Sequence, residues 1–328
     1  MIRPRIGFLG VGWIGRHRME AVAQTGLAEI AAIADANPAM LEEAARIAPG
    51  ARRVKGLEAL LELPLDGLVI ATPSALHAAQ SIAGLRRGLA VFCQKPLGRD
   101  AAEVRAVIDA ARAADRLLDV DLSYRFTEGM QRIRALVREG ALGRVHAVDL
   151  VFHNAYGPDK AWFYDAAQSG GGCVMDLGVH LVDLALWTLD FPAVDSVSGT
   201  LFAGGERLRA GDGRVEDYAT ASIDLCNGAA LRLACSWRLQ AGQDAVISAA
   251  FYGTEGGAAL RNIDGSFYDF SAERYRGTSR ETLASAPDAW GGRAAADWAR
   301  RLAAGGRFDA EIERVADVVG VLDRIYGR

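Results

Sequence analysis

Cysteine, histidine and long apolar runs are scarce in this chain, whose 328 residues include four cysteines and five histidines. Cys93, Cys173, Cys226 and Cys235 lie far apart in apolar or strand-like surroundings, and none belongs to a Cys-x-x-Cys pair. That spacing argues against a zinc site or a disulfide framework, so no metal is expected. No stretch approaches the roughly 18 consecutive apolar residues of a membrane-spanning helix. Dense basic tracts are missing too. Arg132, Arg134 and Arg138 run into Glu139 as on a solvated helix face, and the net charge is -4. Neither a nucleic acid nor a membrane is expected as a partner. The opening residues, Met1-Ile2-Arg3-Pro4-Arg5, lead straight into a strand pattern without the hydrophobic region and small-residue cleavage site of a signal peptide. A cytoplasmic location with buried or unpaired thiols is the expectation.

What is present is an ordinary globular composition, 51% hydrophobic and 24% charged, in a chain long enough for two domains. The first half alternates short apolar runs with helical patterns. Strands are predicted at Arg5–Gly10, Ile30–Ala34, Gly67–Ala71, Leu89–Cys93 and Leu117–Leu122. Helices are predicted at Ile14–Thr25, from Pro38, at Ala75–Arg87 and at Ala101–Ala114, with Pro38 placed where its missing N–H costs nothing. Such alternation implies an α/β, doubly wound parallel sheet covered on both faces. The pattern changes near Ser123, which puts the domains at 1–122 and 123–328. After a helix at about 128–139 come strand candidates at Val145–His153, Val194–Ala203, Tyr218–Cys226, Ala229–Trp237, Val246–Gly253 and Phe267–Ala272. Asn227-Gly228 reads as a hairpin turn, because both positions tolerate positive φ. Helices at about 293–303 and 309–325 close the chain. No internal repeat is present, and the glycine-rich stretches 204–213 and 253–257 read as loop tips.

Gly10-Val11-Gly12-Trp13-Ile14-Gly15 is a G-x-G-x-x-G motif that follows a strand, opens a helix and is answered by an acid, Asp35, at the end of the next strand. Gly10 allows the tight turn, Gly12 lets a pyrophosphate approach the backbone and Gly15 lets the helix pack on the strand. The amides at the helix start then face the phosphates. A carboxylate at Asp35 accepts the ribose hydroxyls of NAD and repels the 2′-phosphate of NADP. No arginine follows it in Ala36-Asn37-Pro38, so NAD is the expected cofactor.

Two further segments carry candidate chemistry. Cys93-Gln94-Lys95-Pro96 ends a strand on the carboxyl side of the sheet, where ligands bind in doubly wound folds. Gly170-Gly171-Gly172 leads into Asp176 and His180, which are four apart and share one face of a helix. Taken singly, Lys95 reads equally as a surface lysine and the Asp-x-x-x-His pair as a helix-surface pair.

Together these segments resemble the glucose–fructose oxidoreductase and inositol dehydrogenase family (Gfo/Idh/MocA). The matching residues are Gly10–Gly15, Ala71-Thr72-Pro73-Ser74 with His77, Lys95-Pro96, Tyr124-Arg125-Phe126, Trp162-Phe163 and Gly170–His180. The resemblance runs from about Ile6 to the final helices. It implies an N-terminal Rossmann domain and an α+β C-terminal domain with an open, mostly antiparallel sheet, one face of which serves a homodimer or homotetramer. It also implies cofactor contacts from Gly10, Gly12, Trp13, Ile14, Gly15, Asp35, Thr72, Pro73, His77, Gln94, Lys95 and Arg125.

The implied activity is NAD-dependent oxidation of a secondary alcohol of a sugar, cyclitol or related polyol. Lys95, Asp176 and His180 are the implied catalytic set: His180 takes the hydroxyl proton, Lys95 stabilises the developing charge and Asp176 orients the partners. Tyr124, Asn154 and Trp162 join them as candidate substrate residues, while Tyr156, Tyr164 and Trp237 are weighed more as core. At one position the chain departs from the family. The usual Glu-Lys-Pro is Gln94-Lys95-Pro96 here, which removes a negative charge beside the lysine. A non-redox sugar sensor and an NAD-dependent glycosidase with transient oxidation are the alternative readings.

Overall fold

The computed structural model describes residues 3–209 and 212–328. Positions 210 and 211 of the expected loop tip at 204–213, and the first two residues of the opening pentapeptide, lie outside that range. The chain divides into two compact units, Met1–Ser123 with Gly291–Glu313, and Tyr124–Trp290 with Arg314–Arg328.

The first unit is built on six parallel strands, β1 (Arg5–Leu9), β2 (Glu29–Ala34), β3 (Arg52–Val54), β4 (Gly67–Ile70), β5 (Ala90–Cys93) and β6 (Leu118–Val120), in the order β3-β2-β1-β4-β5-β6. β4 and β5 are buried along their whole length, as strands covered on both faces must be. The order reverses between β1 and β4, and the carboxyl ends of the strands at such a switch point are where open α/β sheets take ligands. Five helices connect the strands, α1 (Trp13–Gln24), α2 (Pro38–Ile47), α3 (Leu57–Leu61), α4 (Ser74–Arg86) and α5 (Ala101–Ala114). Asn37 caps α2 through its side chain, with Pro38 at the first helical position.

A helix from far along the chain, α9 (Arg293–Ala303), belongs to this unit. The sequence pattern had grouped 291–313 with the second domain. Packing decides otherwise. Trp298 of α9 is fully buried, its ring centroid is 5.8 Å from that of Phe92 on β5, and the absence of a Cβ at Gly67 on β4 makes room for its indole.

The second unit carries nine strands, β7 (Val145–Asn154), β8 (Val194–Ala203), β9 (Glu206–Arg207), β10 (Tyr218–Leu225), β11 (Ala230–Ser236), β12 (Ala245–Gly253), β13 (Gly257–Asn262), β14 (Phe270–Arg276) and β15 (Ser279–Ala284). Their order is β15-β14-β13-β12-β7-β11-β10-β8-β9. Among the described residues only the β7–β11 pair of this sheet is parallel, so the sheet is mixed and mostly antiparallel. Alternation along β10 and β11 puts Ala219, Ala221, Ile223, Leu231, Leu233 and Cys235 into the core. The helices are α6 (Glu128–Arg138), the short α7 (Ala166–Ser169), α8 (Val179–Thr188) and α10 (Arg314–Tyr326).

Asn227-Gly228 does turn the chain between β10 and β11, with a detail the dipeptide alone did not specify. Only Gly228 adopts positive φ (85°), and Leu225 and Ala229 close a three-residue loop. That is the hairpin in which glycine takes the left-handed position of a bulge. The glycine-rich stretch at 253–257 is correspondingly the short connection from β12 into β13, a strand the sequence reading did not anticipate.

The four thiols are unpaired, and they are not alike. Cys93, Cys173 and Cys235 are buried whereas Cys226 is exposed. Burial pushes the Cys93 thiol up to about 12. Titration of the native protein with an aromatic disulfide reagent near pH 8 is therefore expected to label Cys226 quickly and the others only on unfolding. Rapid labelling of a second thiol would show that one of the buried sites opens.

Candidate active site

The glycine loop bridges β1 and α1. Gly10 has φ 85°, and a Cβ there would lie 2.5 Å from the Ala71 carbonyl oxygen; one at Gly15 would lie 2.2 Å from that of Gly10. Both glycines are required by the packing of the strand–turn–helix itself. At Gly12 a Cβ would meet nothing within 4 Å, so this glycine is not required by the surrounding protein. It is the N-cap of α1 and offers no side-chain cap to the helix amides. Open backbone at a helix N-terminus, beside a carboxylate at the end of β2, fits a dinucleotide pyrophosphate and its ribose. Trp13, the first residue of the helix, is 60% exposed and stacks on His17 at 6.1 Å, while Ile14 follows inside the same turn.

Asp35 is tied into this loop. Its Oδ2 accepts the Val11 amide at 2.7 Å and its Oδ1 the Asn37 amide at 2.8 Å. Each carboxylate oxygen retains a lone pair, so ribose hydroxyls can still be accepted.

Thr72, Pro73 and His77 lie at the start of α4. The ring nitrogens of His77 stand 2.6 Å from the Thr72 carbonyl and 2.7 Å from the Pro96 carbonyl. Burial holds His77 below its ordinary pKa, opposed by those two carbonyls and aided by the charge of Lys95. The imidazole thus lies between the Thr72-Pro73 turn and the Lys95-Pro96 turn, donating to one carbonyl when neutral and to both only when protonated, and Thr72 Oγ donates to Gln80 at 2.6 Å.

Gln94 is buried, and its side-chain amide donates to Asp121 Oδ2, which also accepts from Arg18 Nε. Asp121 is 1% exposed. A carboxylate thus does stand beside position 94, on Asp121, a residue the sequence reading passed over, and it is already paired with Arg18.

In the second unit, Asp176 lies in a π-helical turn, Val174–Gly178, that runs into α8, which carries His180. A helix was expected here but the π turn was not; wide turns of this kind recur at functional sites. Trp237 Nε1 donates to Asp176 Oδ2 at 3.1 Å. Phe163 and Tyr164 pack edge-on against the Trp237 ring at 6.2 and 5.6 Å, and Trp162 stacks on Phe163 at 3.8 Å. Trp237, weighed as core from sequence, is therefore the direct partner of a site carboxylate, and the Trp162 segment connects to it.

His180 packs against Tyr124, ring centroids 4.8 Å apart, and Tyr124 in turn packs on Trp290 at 4.8 Å. Burial pushes the Tyr124 phenol well up, with Tyr268 and Asp176 adding to it. Asn154, at the end of β7, is turned inward on its own loop, its Oδ1 accepting the Tyr156 amide at 2.7 Å. Arg125 is engaged internally as well. Its guanidinium grips the buried Asp183 of α8 with two nitrogens, one of them at 2.8 Å, and lies over Trp187 and Phe191. Burial raises the Asp183 carboxyl, and Arg125 opposes that shift. Lys95 belongs to the first unit; Asp176 and His180 belong to the second. Among the described residues no group of three or more His, Cys, Asp or Glu side chains is placed to hold a metal ion. None of the described helices is long and apolar enough to cross a membrane.

A doubly wound parallel sheet with an open glycine turn, an acid at the second strand and a lysine at the end of the fifth defines a dinucleotide-binding oxidoreductase scaffold. Comparison with known proteins narrows the class. Residues 4–122 match the NAD-binding Rossmann fold of the oxidoreductase family GFO_IDH_MocA, and residues 130–259 match a GFO/IDH/MocA C-terminal domain. The chain belongs to the Gfo/Idh/MocA oxidoreductase family.

Among its relatives, D-glucoside 3-dehydrogenase of Escherichia coli is 29% identical over 61% of this chain, a match spanning 60% of the relative's own length. Inositol 2-dehydrogenase of Rhizobium meliloti is 29% identical over 79% of this chain and 76% of its own. Levoglucosan dehydrogenase in complex with NADH and levoglucosan shares the fold at TM-score 0.82 and 22% identity, covering 99% of this chain and 98% of that one. A 3-ketoreductase from Actinomadura kijaniata, in complex with NADP and TDP-benzene, does so at TM-score 0.83 and 21% identity, covering 99% and 98%.

Two substitutions separate packing from ligand roles. Gly15→Ala is expected to lower the thermal midpoint of the cofactor-free protein by several degrees, at a cost of about 2 kcal/mol. Gly12→Ala should cost under about 1 kcal/mol; equal losses in the two variants would contradict the packing difference between them. Gln94→Glu would set two carboxylates side by side, and a loss of about 2 kcal/mol in denaturant unfolding is expected. Asp121→Asn in the same chain should return most of that loss, and failure to do so would separate residue 94 from Asp121.

Proposed function

We propose that the protein is an NAD-dependent dehydrogenase that oxidises a secondary alcohol of a sugar, cyclitol or related polyol. The observation that carries this reading is the setting of Asp176 and His180. One carboxylate is held by an indole N–H, one imidazole lies against a buried phenol ring, and further aromatic faces adjoin. Aromatic faces beside hydrogen-bonding groups suit the alternating C–H and O–H surfaces of a polyol. The relatives named for glucoside and inositol oxidation support the same substrate class.

Bound nicotinamide supplies the hydride acceptor. His180 takes the hydroxyl proton, Lys95 stabilises the oxygen as its charge develops, and Asp176 orients the alcohol. Gly10, Gly12, Trp13, Ile14 and Gly15 hold the pyrophosphate side of the cofactor, with Thr72, Pro73 and Gln94 toward the nicotinamide. Asp35 favours NAD over NADP, since its carboxylate can accept the ribose hydroxyls and would repel a 2′-phosphate. Self-association through the nine-stranded sheet, as a homodimer or homotetramer, is part of the same reading.

The test is a panel of inositols, aldoses, sugar acids and hydroxy acids with NAD, following NADH absorbance. Turnover of a polyol or sugar is expected, with kcat lowered about 100-fold or more in His180→Ala and NAD affinity little changed. Higher kcat/KM with NADP would reverse the cofactor assignment. Absence of NADH with every compound, despite tight NAD binding, would move the reading to a sensor. Release of a leaving group without net NADH would move it to a glycosidase.

A further inference from the structure

The segment that carries Asp176 and His180 begins with three glycines, and something must fix so flexible a run. Among the described residues a buried carboxylate stands directly at its start. Glu216, 2% exposed and just ahead of β10, accepts the Gly172 amide with both oxygens at 2.9 Å and the Val174 amide at 3.0 Å. Its own backbone carbonyl accepts the Cys173 amide at 3.1 Å. Tyr326, at the end of α10, donates its hydroxyl to Glu216 Oε1 at 2.7 Å and accepts the Met175 amide at 3.1 Å. Four consecutive amides, at residues 172 to 175, are thereby satisfied by two residues remote in sequence.

Glycine is imposed here by the latch itself. A Cβ at Gly171 would lie 2.1 Å from the Tyr326 hydroxyl, and one at Gly172 would lie 1.9 Å from the Glu216 carbonyl oxygen. Arg328 adds a hydrogen bond to the Gly170 carbonyl at 3.0 Å and lies over the Tyr326 ring. The amides at the start of a helical segment are unpaired within the helix and favour an anion. Glu216 places a carboxyl group there from within the chain, and Tyr326 extends its reach to the amide next to Asp176.

We propose that Glu216 and Tyr326 are positioning residues for the reaction: they hold the π turn that sets Asp176 and His180. Neither is placed on substrate or cofactor; they act through the backbone of residues 172–175. The inference rests on the dehydrogenase reading for its kinetic consequence, though not for its structural one.

The experiment uses the full-length chain with Tyr326→Phe and Glu216→Gln. Tyr326→Phe keeps the ring and removes only the hydroxyl; Glu216→Gln keeps the shape and replaces one acceptor by a donor. Amide hydrogen exchange of peptides covering 170–180 is expected to speed up about tenfold or more in both variants, with little change in the peptides of the glycine loop at 10–15. In the alcohol assay kcat should fall about tenfold or more, while KM for NAD stays within about twofold. Unaltered exchange in both variants overturns the proposal, whatever the enzyme turns over. Faster exchange with unaltered kcat also overturns it, because the segment would then be loosened without consequence for the chemistry. If wild type oxidises nothing, the dehydrogenase reading fails, and the exchange rates alone decide whether the latch holds the segment.

Discussion

A carboxylate taken out of water needs donors or cations to replace its hydration, and this protein buries three of them next to segments that carry candidate site residues, one in the first unit and two in the second. Asp121, Asp183 and Glu216 are each no more than 2% exposed. Each grips a segment that carries a candidate site residue, although Asp121 Oδ1 is buried without a hydrogen-bond partner among the described residues. Asp121 takes Arg18 of α1 and the side chain of Gln94, next to Lys95. Asp183 takes Arg125, the neighbour of Tyr124. Glu216 takes the amides that lead into Asp176. Removing one partner of such a group leaves an uncompensated charge in low dielectric, which costs far more than the pair contributes to stability. The arrangement is therefore better understood as a way of making wrong geometries expensive than as a source of stability.

This has a consequence for two residues that the family resemblance assigned to the cofactor. The ring nitrogens of His77 face the Thr72 and Pro96 carbonyls, and Arg125 gives its guanidinium to Asp183. A planar fork engaged by two carboxylate oxygens has little capacity left in that direction. His77 lies between the turn at the start of α4 and the turn that presents Lys95, so removing it would disturb the setting of the lysine. For Arg125 the same logic runs through Asp183 and the helix that bears His180. Recurrence of a residue type in a motif does not distinguish a group that touches a ligand from one that aims its neighbour.

Legibility in the sequence followed the physics of each element. The parallel sheet was plain because its central strands are short and wholly apolar, and because Gly10–Gly15 and Asp35 fall where the strand–turn–helix needs them. β3 was missed because Arg52-Arg53-Val54 is an edge strand with nothing to bury on its outer side. α8 carried no periodic signal because every one of its residues is buried, so no polar face marks a period. The placement of α9 depends on where Trp298 finds its partners, which lie some two hundred residues earlier; sequence order is silent on that. Asp121, Asp183 and Glu216 were overlooked for a common reason. Acidic residues are nearly always at the surface, so a buried one looks like any other until its partners are in place.

Gln94 shows how far the identity of a single position can mislead. Read alone, it is a lost charge in a motif built around a lysine. In the folded unit its amide is one hydrogen bond from a buried carboxylate, and that carboxylate is held in turn by an arginine on the helix that opens at the glycine loop. A glutamate at 94 would compete with Asp121 for the same donor and would leave two like charges in contact. Glutamine instead donates to the neighbouring acid, so Gln94 and Asp121 have to be read as one unit. The electrostatic character of this site is then a property of the cluster formed by β5, β6 and α1. Gln94 adds only a neutral amide to a carboxylate that is already paired with Arg18.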